Sequence, residues 1–299
     1  MIASTTRLKS ILARRDATLA PGAANALFAR IIEDLGFEVA YVTGAGIANM
    51  QLGMPDIGLT TLTEIADTVA AIADVVALPL LVDADTGFGN ALNMRRTVRI
   101  LERAGAAGVQ IEDQEFPKRC GHFSGKQVIP LAEMVQRIKA AVDGRHDQDF
   151  QIVARTDARA SEGLDVAIHR AQAFIDAGAD ATFVEAPLTE AELARIAREL
   201  PAPQLANIVF GGLTPDPGRG KLADMGFGLV LYANASLQAA LKAAQDVLAA
   251  LKRDGSLAAV ADKLASFDER QRVVAKPTYD ALEQRYAGPI DNSREGGRR

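Results

Sequence analysis

The chain carries one cysteine and no tryptophan in 299 residues. A lone thiol cannot close an intramolecular disulfide, and nothing demands an oxidising compartment. Aromatic residues make up 5% of the chain, so platforms for stacking bases are scarce. There is no basic stripe, and 33 basic against 38 acidic side chains give a net charge of −5. These features argue against a nucleic-acid partner. No uninterrupted apolar run approaches a membrane span. The opening MIASTTRLKSILARRD lacks the apolar core and small-residue cleavage site of a secretory signal. The expectation is a cytoplasmic protein with no membrane contact.

What is abundant is aliphatic. Hydrophobic residues are 48% of the chain, ample for a large core. Short aliphatic or β-branched runs at 17–22, 38–43, 80–83, 109–112, 151–155, 181–185, 205–210 and 228–232 alternate with helix-period segments. The helical segments fall at 25–35, 61–76, 93–104, 131–142, 164–177, 189–200, 215–225 and 236–252, with 44–58 reading as a Gly-rich loop. Gly36, Gly105, Gly178 and Gly226 stand where helices should stop. Continuous apolar strands alternating with helices imply a parallel sheet covered on both faces. Eight such units imply closure into an α/β (β/α)8 TIM barrel rather than an open sheet. One domain is expected, with the barrel over about 17–252 and a C-terminal helical extension that includes 256–267. The polar run 291–299 reads as a disordered end.

Two constellations carry chemistry. The first is 112–126, EDQEFPKRCGHFSGK, in which Cys120 is flanked by Lys118, Arg119 and His122. Positive neighbours favour thiolate over thiol, and Gly121 and Gly125 suit a loop that opens and closes. The competing reading is a small buried hydrophobe, which charged and flexible neighbours disfavour. The second is a set of polar residues at strand ends: Asp83 and Asp85, Glu112, Arg155, Glu185 and Asn207. A barrel keeps its chemistry at the carboxyl ends of its strands. Converging acids repel one another without a cation, and oxygen-only ligands suit a hard divalent ion such as Mg²⁺. Helix capping is the alternative; it fits Asp85 but not Asp83, which lies inside the apolar run LLVDAD. Arg155 can take a carboxylate through two parallel hydrogen bonds, or pair internally with Glu112 or Glu185. Thr43, Gly44, Ala45 and Gly46 offer backbone N–H groups to an anion. His146 and His169 read as solvent-facing, which leaves His122, two residues after Cys120, as the histidine in a plausible catalytic setting. A Cys120–His122 acyl-transfer pair has poor geometry at a two-residue spacing on a loop, and would leave the acids unexplained.

The motif KRCGH at 118–122, with Gly125-Lys126 and VDADTGFGN at 82–90, resembles the isocitrate lyase/phosphoenolpyruvate mutase superfamily. The likeness runs from Ala20 to about Tyr232 and points to the short lyase branch. It implies a Mg²⁺-dependent barrel (Mn²⁺ as a substitute), commonly a homotetramer that exchanges its last barrel helix. It further implies Asp83 as the direct metal ligand, with Asp85 and Glu112 acting directly or through water. Thr43, Gly44 and Ala45 match the segment that holds the substrate's carboxylate and oxyanion. Tyr41 and Asp56 lie beside the substrate, Gly121 and His122 on the loop over it, and Arg155, Glu185 and Asn207 in its pocket. Cys120 matches the general acid, and its presence favours cleavage over phosphorus–carbon rearrangement. The residues do not single out a base; Tyr41 and an acid-bound water are the candidates. Phe210 and Gln238 stand where tricarboxylate lyases resemble one another in having an acid and an arginine. That implies an alkyl-substituted dicarboxylate such as a dimethylmalate, or a small C4 acid, rather than methylisocitrate. Oxaloacetate hydrolysis or decarboxylation and methylisocitrate cleavage are the alternatives; phosphonomutase activity and a catalytically silent barrel that binds 2-oxo acids are lesser ones.

Overall fold

The computed structural model describes residues 2–118, 125 and 127–287. Eight parallel strands hydrogen-bond in sequence order and close into a barrel: β1 (Thr18–Ala23), β2 (Ala40–Val42), β3 (Leu80–Asp83), β4 (Gly108–Glu112), β5 (Gln151–Thr156), β6 (Ala181–Val184), β7 (Gln204–Asn207) and β8 (Phe227–Tyr232). The barrel expected from the alternating pattern is therefore the observed fold. Its helices are α1 (Ser4–Arg14), α2 (Ala26–Asp34), α3 (Gly44–Gln51), α4 (Leu62–Ala73), α5 (Ala91–Arg103), α6 (Leu131–Gly144) and α7 (Ala158–Glu162). They continue with α8 (Leu164–Asp176), α9 (Glu190–Glu199), α10 (Arg219–Met225), α11 (Ala235–Asp254), α12 (Phe267–Val273) and α13 (Lys276–Tyr286).

Local chemistry starts the helices where the sequence changes period. Asn25, Thr43, Thr61, Asn90 and Thr189 each accept a backbone N–H of the first turn through the side chain. Thr61 and Glu64 complete a reciprocal capping box. Inside the barrel Ala20, Tyr41, Leu81, Val153, Phe183, Leu205 and Leu229 pack on one another, and Leu8, Ile11 and Leu12 of α1 join the same cluster. Helix α1 thus plugs the amino-terminal end of the barrel.

Four stretches differ from the sequence expectation. The segment 44–58 begins with α3 rather than running as loop, because Thr43 caps a turn whose glycines are tolerated at the helix start. Residues 4–14 form α1, whose apolar stripe finds cover only in the barrel floor. Strand β7 ends at Asn207, and Gly211-Gly212 turns the chain away before 210 can extend it. Beyond 255 a 3₁₀ helix (Ala258–Lys263) precedes α12 and α13 in place of one helix over 256–267. The run 291–299 lies outside the described residues.

The chain divides into two compact units between Lys242 and Ala243. In the second, Ala250 and Val260 are the buried side chains among the described residues.

Candidate active site

Side chains on a strand alternate between the two faces, so one choice of register decides which residues enter the barrel. Tyr41, Leu81, Val153, Phe183 and Leu205 are interior. Two residues further along the strands or just past them come Thr43, Asp83, Arg155, Glu185 and Asn207. On β4 the alternation Gly108, Gln110, Glu112 places Glu112 in the same upper layer, opposite Arg155 in the register. A single cavity at the carboxyl end of the barrel is lined by Tyr41, Thr43, Ala45, Asp56, Asp83, Glu112, Arg155 and Asn207. Eight of the residues singled out from the sequence therefore meet at one mouth. Gly44 joins them through its N–H, 3.3 Å from Asp83 Oδ2, and Glu185 through Arg155, 3.4 Å away. Cys120, Gly121 and His122 lie outside the described residues. His146 and His169 are exposed, as expected.

Lys118 also lines this cavity. In the sequence it stands out only as a neighbour of Cys120. Its side chain is 4% exposed, and its ammonium lies 2.7 Å from Asp85 Oδ1 and against Asp56 Oδ1. Burial pulls the ammonium pKa down, but Asp85, Glu112, Asp56 and Asp83 together outweigh it and hold Lys118 protonated, well above the ordinary lysine range. Burial, opposed by Lys118 and reinforced by Asp83, pushes the Asp85 carboxyl up to about 6. The signal available in the sequence was a lysine just after a strand that ends in acids.

Arg155 is the second buried cation. Its Nε and Nη2 donate to the two oxygens of Asp157 at 2.9 and 3.0 Å, and its Nη1 lies 3.4 Å from both Glu112 and Glu185. Both internal pairings allowed by the sequence occur, with Asp157 as a third and tighter partner. Burial, only partly offset by Arg155, raises the Glu112 carboxyl well above the usual range. Tyr41 donates its phenol proton to Gln110 Oε1 at 2.6 Å, and burial raises the phenol well above 10.

The donor set suits a hard cation. A Cβ placed on Gly44 would meet Asp83 Oδ2 at 3.1 Å and Asp85 Oδ1 at 3.4 Å, so glycine leaves a cradle between the two carboxylates. Glu112 Oε1 is buried with no hydrogen-bond partner among the described residues. Among the same residues no three acidic, histidine or cysteine groups converge at direct-ligand spacing. Mg²⁺, which keeps several waters and takes one or two carboxylates, fits such a site better than an ion needing a full protein cage.

Comparison with known proteins agrees with this geometry. The family model described as phosphoenolpyruvate phosphomutase matches residues 8–252. The 2,3-dimethylmalate lyase of Eubacterium barkeri is 43% identical over 281 residues, spanning 94% of this chain and 97% of that protein. An oxaloacetate acetylhydrolase solved with the inhibitor 3,3-difluorooxalacetate superposes with a TM-score of 0.90 at 33% identity, covering 96% of this chain and 98% of that one. A phosphonopyruvate hydrolase solved with oxalate and Mg²⁺ gives a TM-score of 0.86 at 30% identity, covering 96% of this chain and 100% of that one. With the closed barrel, the acid cradle and these likenesses together, the chain belongs to the PEP mutase/isocitrate lyase superfamily of enzymes.

Proposed function

We propose that the chain is a Mg²⁺-dependent carbon–carbon lyase that cleaves an alkyl-substituted 2-hydroxy dicarboxylate to a 2-oxo acid and a shorter carboxylate. The observation that carries this reading is that Asp83, Glu112 and Arg155 line one cavity, with Asp85 beside Asp83 at the cradle over Gly44. Asp83 would hold the ion, with Asp85 and Glu112 acting directly or through water. When bound, the ion supplies Lewis-acid polarisation of the 2-oxygen and its adjacent carboxylate.

The chain's own groups do the rest. Arg155 orients a substrate carboxylate, and Asp157 fixes the guanidinium plane from behind. The first turn of α3 starts at the mouth, with the Gly44 N–H on Asp83 Oδ2 at 3.3 Å and Ala45 in the cavity wall, and the positive end of its dipole favours an anionic oxygen there. Tyr41 keeps its proton for Gln110, which supports an acid-bound water over the phenol as the base. Asn207 lines the cavity, where its Nδ2 amide can donate to the oxygens of the departing enediolate. Cys120 delivers the proton that quenches it.

A second cavity of about 350 Å³ supports the alkyl substituent. It shares Val209 with the first and is lined by Ile208, Phe210 and Ala235. Phe210 stands at its rim, 88% exposed, and Gln238 donates to the Phe210 carbonyl at 3.1 Å. No arginine or lysine lines this cavity among the described residues, so a further carboxylate would lack a partner worth about 1.5–3 kcal/mol. That weighs against methylisocitrate. The likeness to oxaloacetate acetylhydrolase keeps oxaloacetate hydrolysis as the second reading. The second unit exposes Leu248, Phe267 and Tyr279, apolar surface that supports a homotetramer exchanging the last barrel helix. Light scattering on the intact chain should give four times the chain mass; a monomer rejects the assembly.

Screening malate derivatives with Mg²⁺ tests the activity. Pyruvate and propionate should form from 2,3-dimethylmalate, and Cys120→Ala should cut turnover by about 10²–10⁴ while Mg²⁺ and oxalate still bind. Conversion of oxaloacetate alone, to oxalate and acetate, would transfer the assignment to the hydrolase reading. An unimpaired Cys120→Ala variant would remove the thiol from the mechanism.

Metal affinity should follow the Asp85 carboxyl. With that carboxyl at about 6, the carboxylate is present above this pH and takes up a proton below it. Apparent Mn²⁺ affinity, read by calorimetry, should be level above about pH 7 and fall by up to about tenfold per pH unit below about 6. Affinity unchanged down to pH 5 would show that Asp85 does not take part.

A further inference from the structure

Behind the mouth, the outward-facing residues of β4 and β5 build a second polar cluster. Asp113, one residue past Glu112, is 0% exposed. Its carboxylate accepts from Thr156 Oγ1 at 2.7 Å, from the Asp157 backbone N–H at 2.9 Å and from Arg170 Nε at 2.8 Å. Arg170 rises from α8 and is 5% exposed. Its Nη2 donates to the Ile129 carbonyl at 2.8 Å, while the Ile129 N–H donates to the Asp113 carbonyl at 2.8 Å. Glu115 N–H donates to the Gln127 carbonyl at 2.9 Å, and Gln114 bridges Val128 in antiparallel register. The limb leaving β4 and the limb returning to α6 therefore run side by side as a stem, and one guanidinium holds both.

The same cluster reaches the mouth from the other side. Asp113 fixes the Asp157 backbone, and the Asp157 carboxylate clamps Arg155 through two hydrogen bonds. A buried ion pair is seldom needed for stability, since apolar side chains of similar volume commonly serve as well. Ala167, Ala171 and Phe174 beside Arg170 on α8 are already buried and apolar. What an apolar residue cannot do is hold two chain limbs and a carboxylate in one plane, which the fork of a guanidinium does.

We propose that Arg170 is a positioning residue. Through Asp113 and the Ile129 carbonyl it sets the stem and the Asp157–Arg155 pair in one fixed relation, so that Arg155 meets a substrate carboxylate in the orientation that binding requires. The inference rests on the reading that Arg155 binds a carboxylate.

The test uses the full chain with Mg²⁺, carrying Arg170→Met or Arg170→Lys. Three quantities are read: the thermal melt, oxalate affinity by calorimetry, and hydrogen exchange in peptides covering the stem and β8. In folded Arg170→Met, oxalate Kd should rise at least tenfold and stem amides should exchange at least tenfold faster, with β8 unchanged. Arg170→Lys keeps the charge but not the fork; it should melt nearer the wild type and still lose stem protection. Wild-type oxalate affinity and stem exchange in either folded variant would overturn the proposal. If wild-type protein itself fails to bind oxalate, the carboxylate reading of Arg155 falls; an unchanged stem would then overturn the role of Arg170 as well, and a loosened one would uphold its hold on the stem.

Discussion

Acid burial at one end of a closed barrel is the constraint on which the rest of this structure depends. Asp83, Asp85, Glu112, Asp113, Asp157 and Glu185 are each no more than 8% exposed. Isolated buried carboxylates are costly, and neighbouring ones repel, so such a cluster persists only with cations or protons among its members. Arg155 sits amid Asp157, Glu112 and Glu185, and Lys118 amid Asp85 and Asp56. Arg170 holds Asp113 one layer behind. Lys118 reaches the Asp85 side of the Asp83–Asp85 cradle and neither arginine reaches it, so under the proposed function a divalent ion would add most beside Asp83.

The period-two alternation of parallel strands sorts these groups into two layers. Inward positions at the strand ends supply the mouth, where Glu112 stands opposite Arg155 and Asn207 opposite Leu231. Outward positions one residue later supply Asp113 and Thr156, which hydrogen-bond to each other, and Asp113 accepts from Arg170 of α8. Adjacent residues such as Glu112 and Asp113 thus do different work, one at the mouth and one in the scaffold that aims it. Backbone conformation adds to the arrangement. Asp85 lies in the left-handed region at φ 47, where aspartate is better tolerated than most residues, and its N–H points to Asp83 Oδ1 at 3.3 Å.

Much of this was legible in the residues. The eight strands announced themselves because each is a compact apolar run between helical segments, and Asp83, Glu112, Arg155, Glu185 and Asn207 stand at or just past their ends. Lys118 escaped because its partners, Asp56 and Asp85, are separated from it by 62 and 33 positions along the chain; only the side-by-side pairing of β2, β3 and β4 brings them together. Arg170 carried a local signal, a charge on an otherwise apolar stripe with Ala167, Ala171 and Phe174, but its partner on β4 did not. Helix α3 was masked by glycine, whose frequency in 44–58 reads as loop even though Thr43 supplies a cap. Helix α1 has an apolar stripe that makes sense only once the barrel floor exists to receive it.

The account stands on the Asp83–Asp85 cradle being a divalent-cation site. Crystals grown with Mn²⁺ and oxalate, measured at the manganese absorption edge, address this directly. The prediction is one anomalous peak at the barrel mouth beside the Asp83 carboxylate. Oxalate seated against Arg155 with no anomalous peak there, or a peak elsewhere on the molecule, would contradict it.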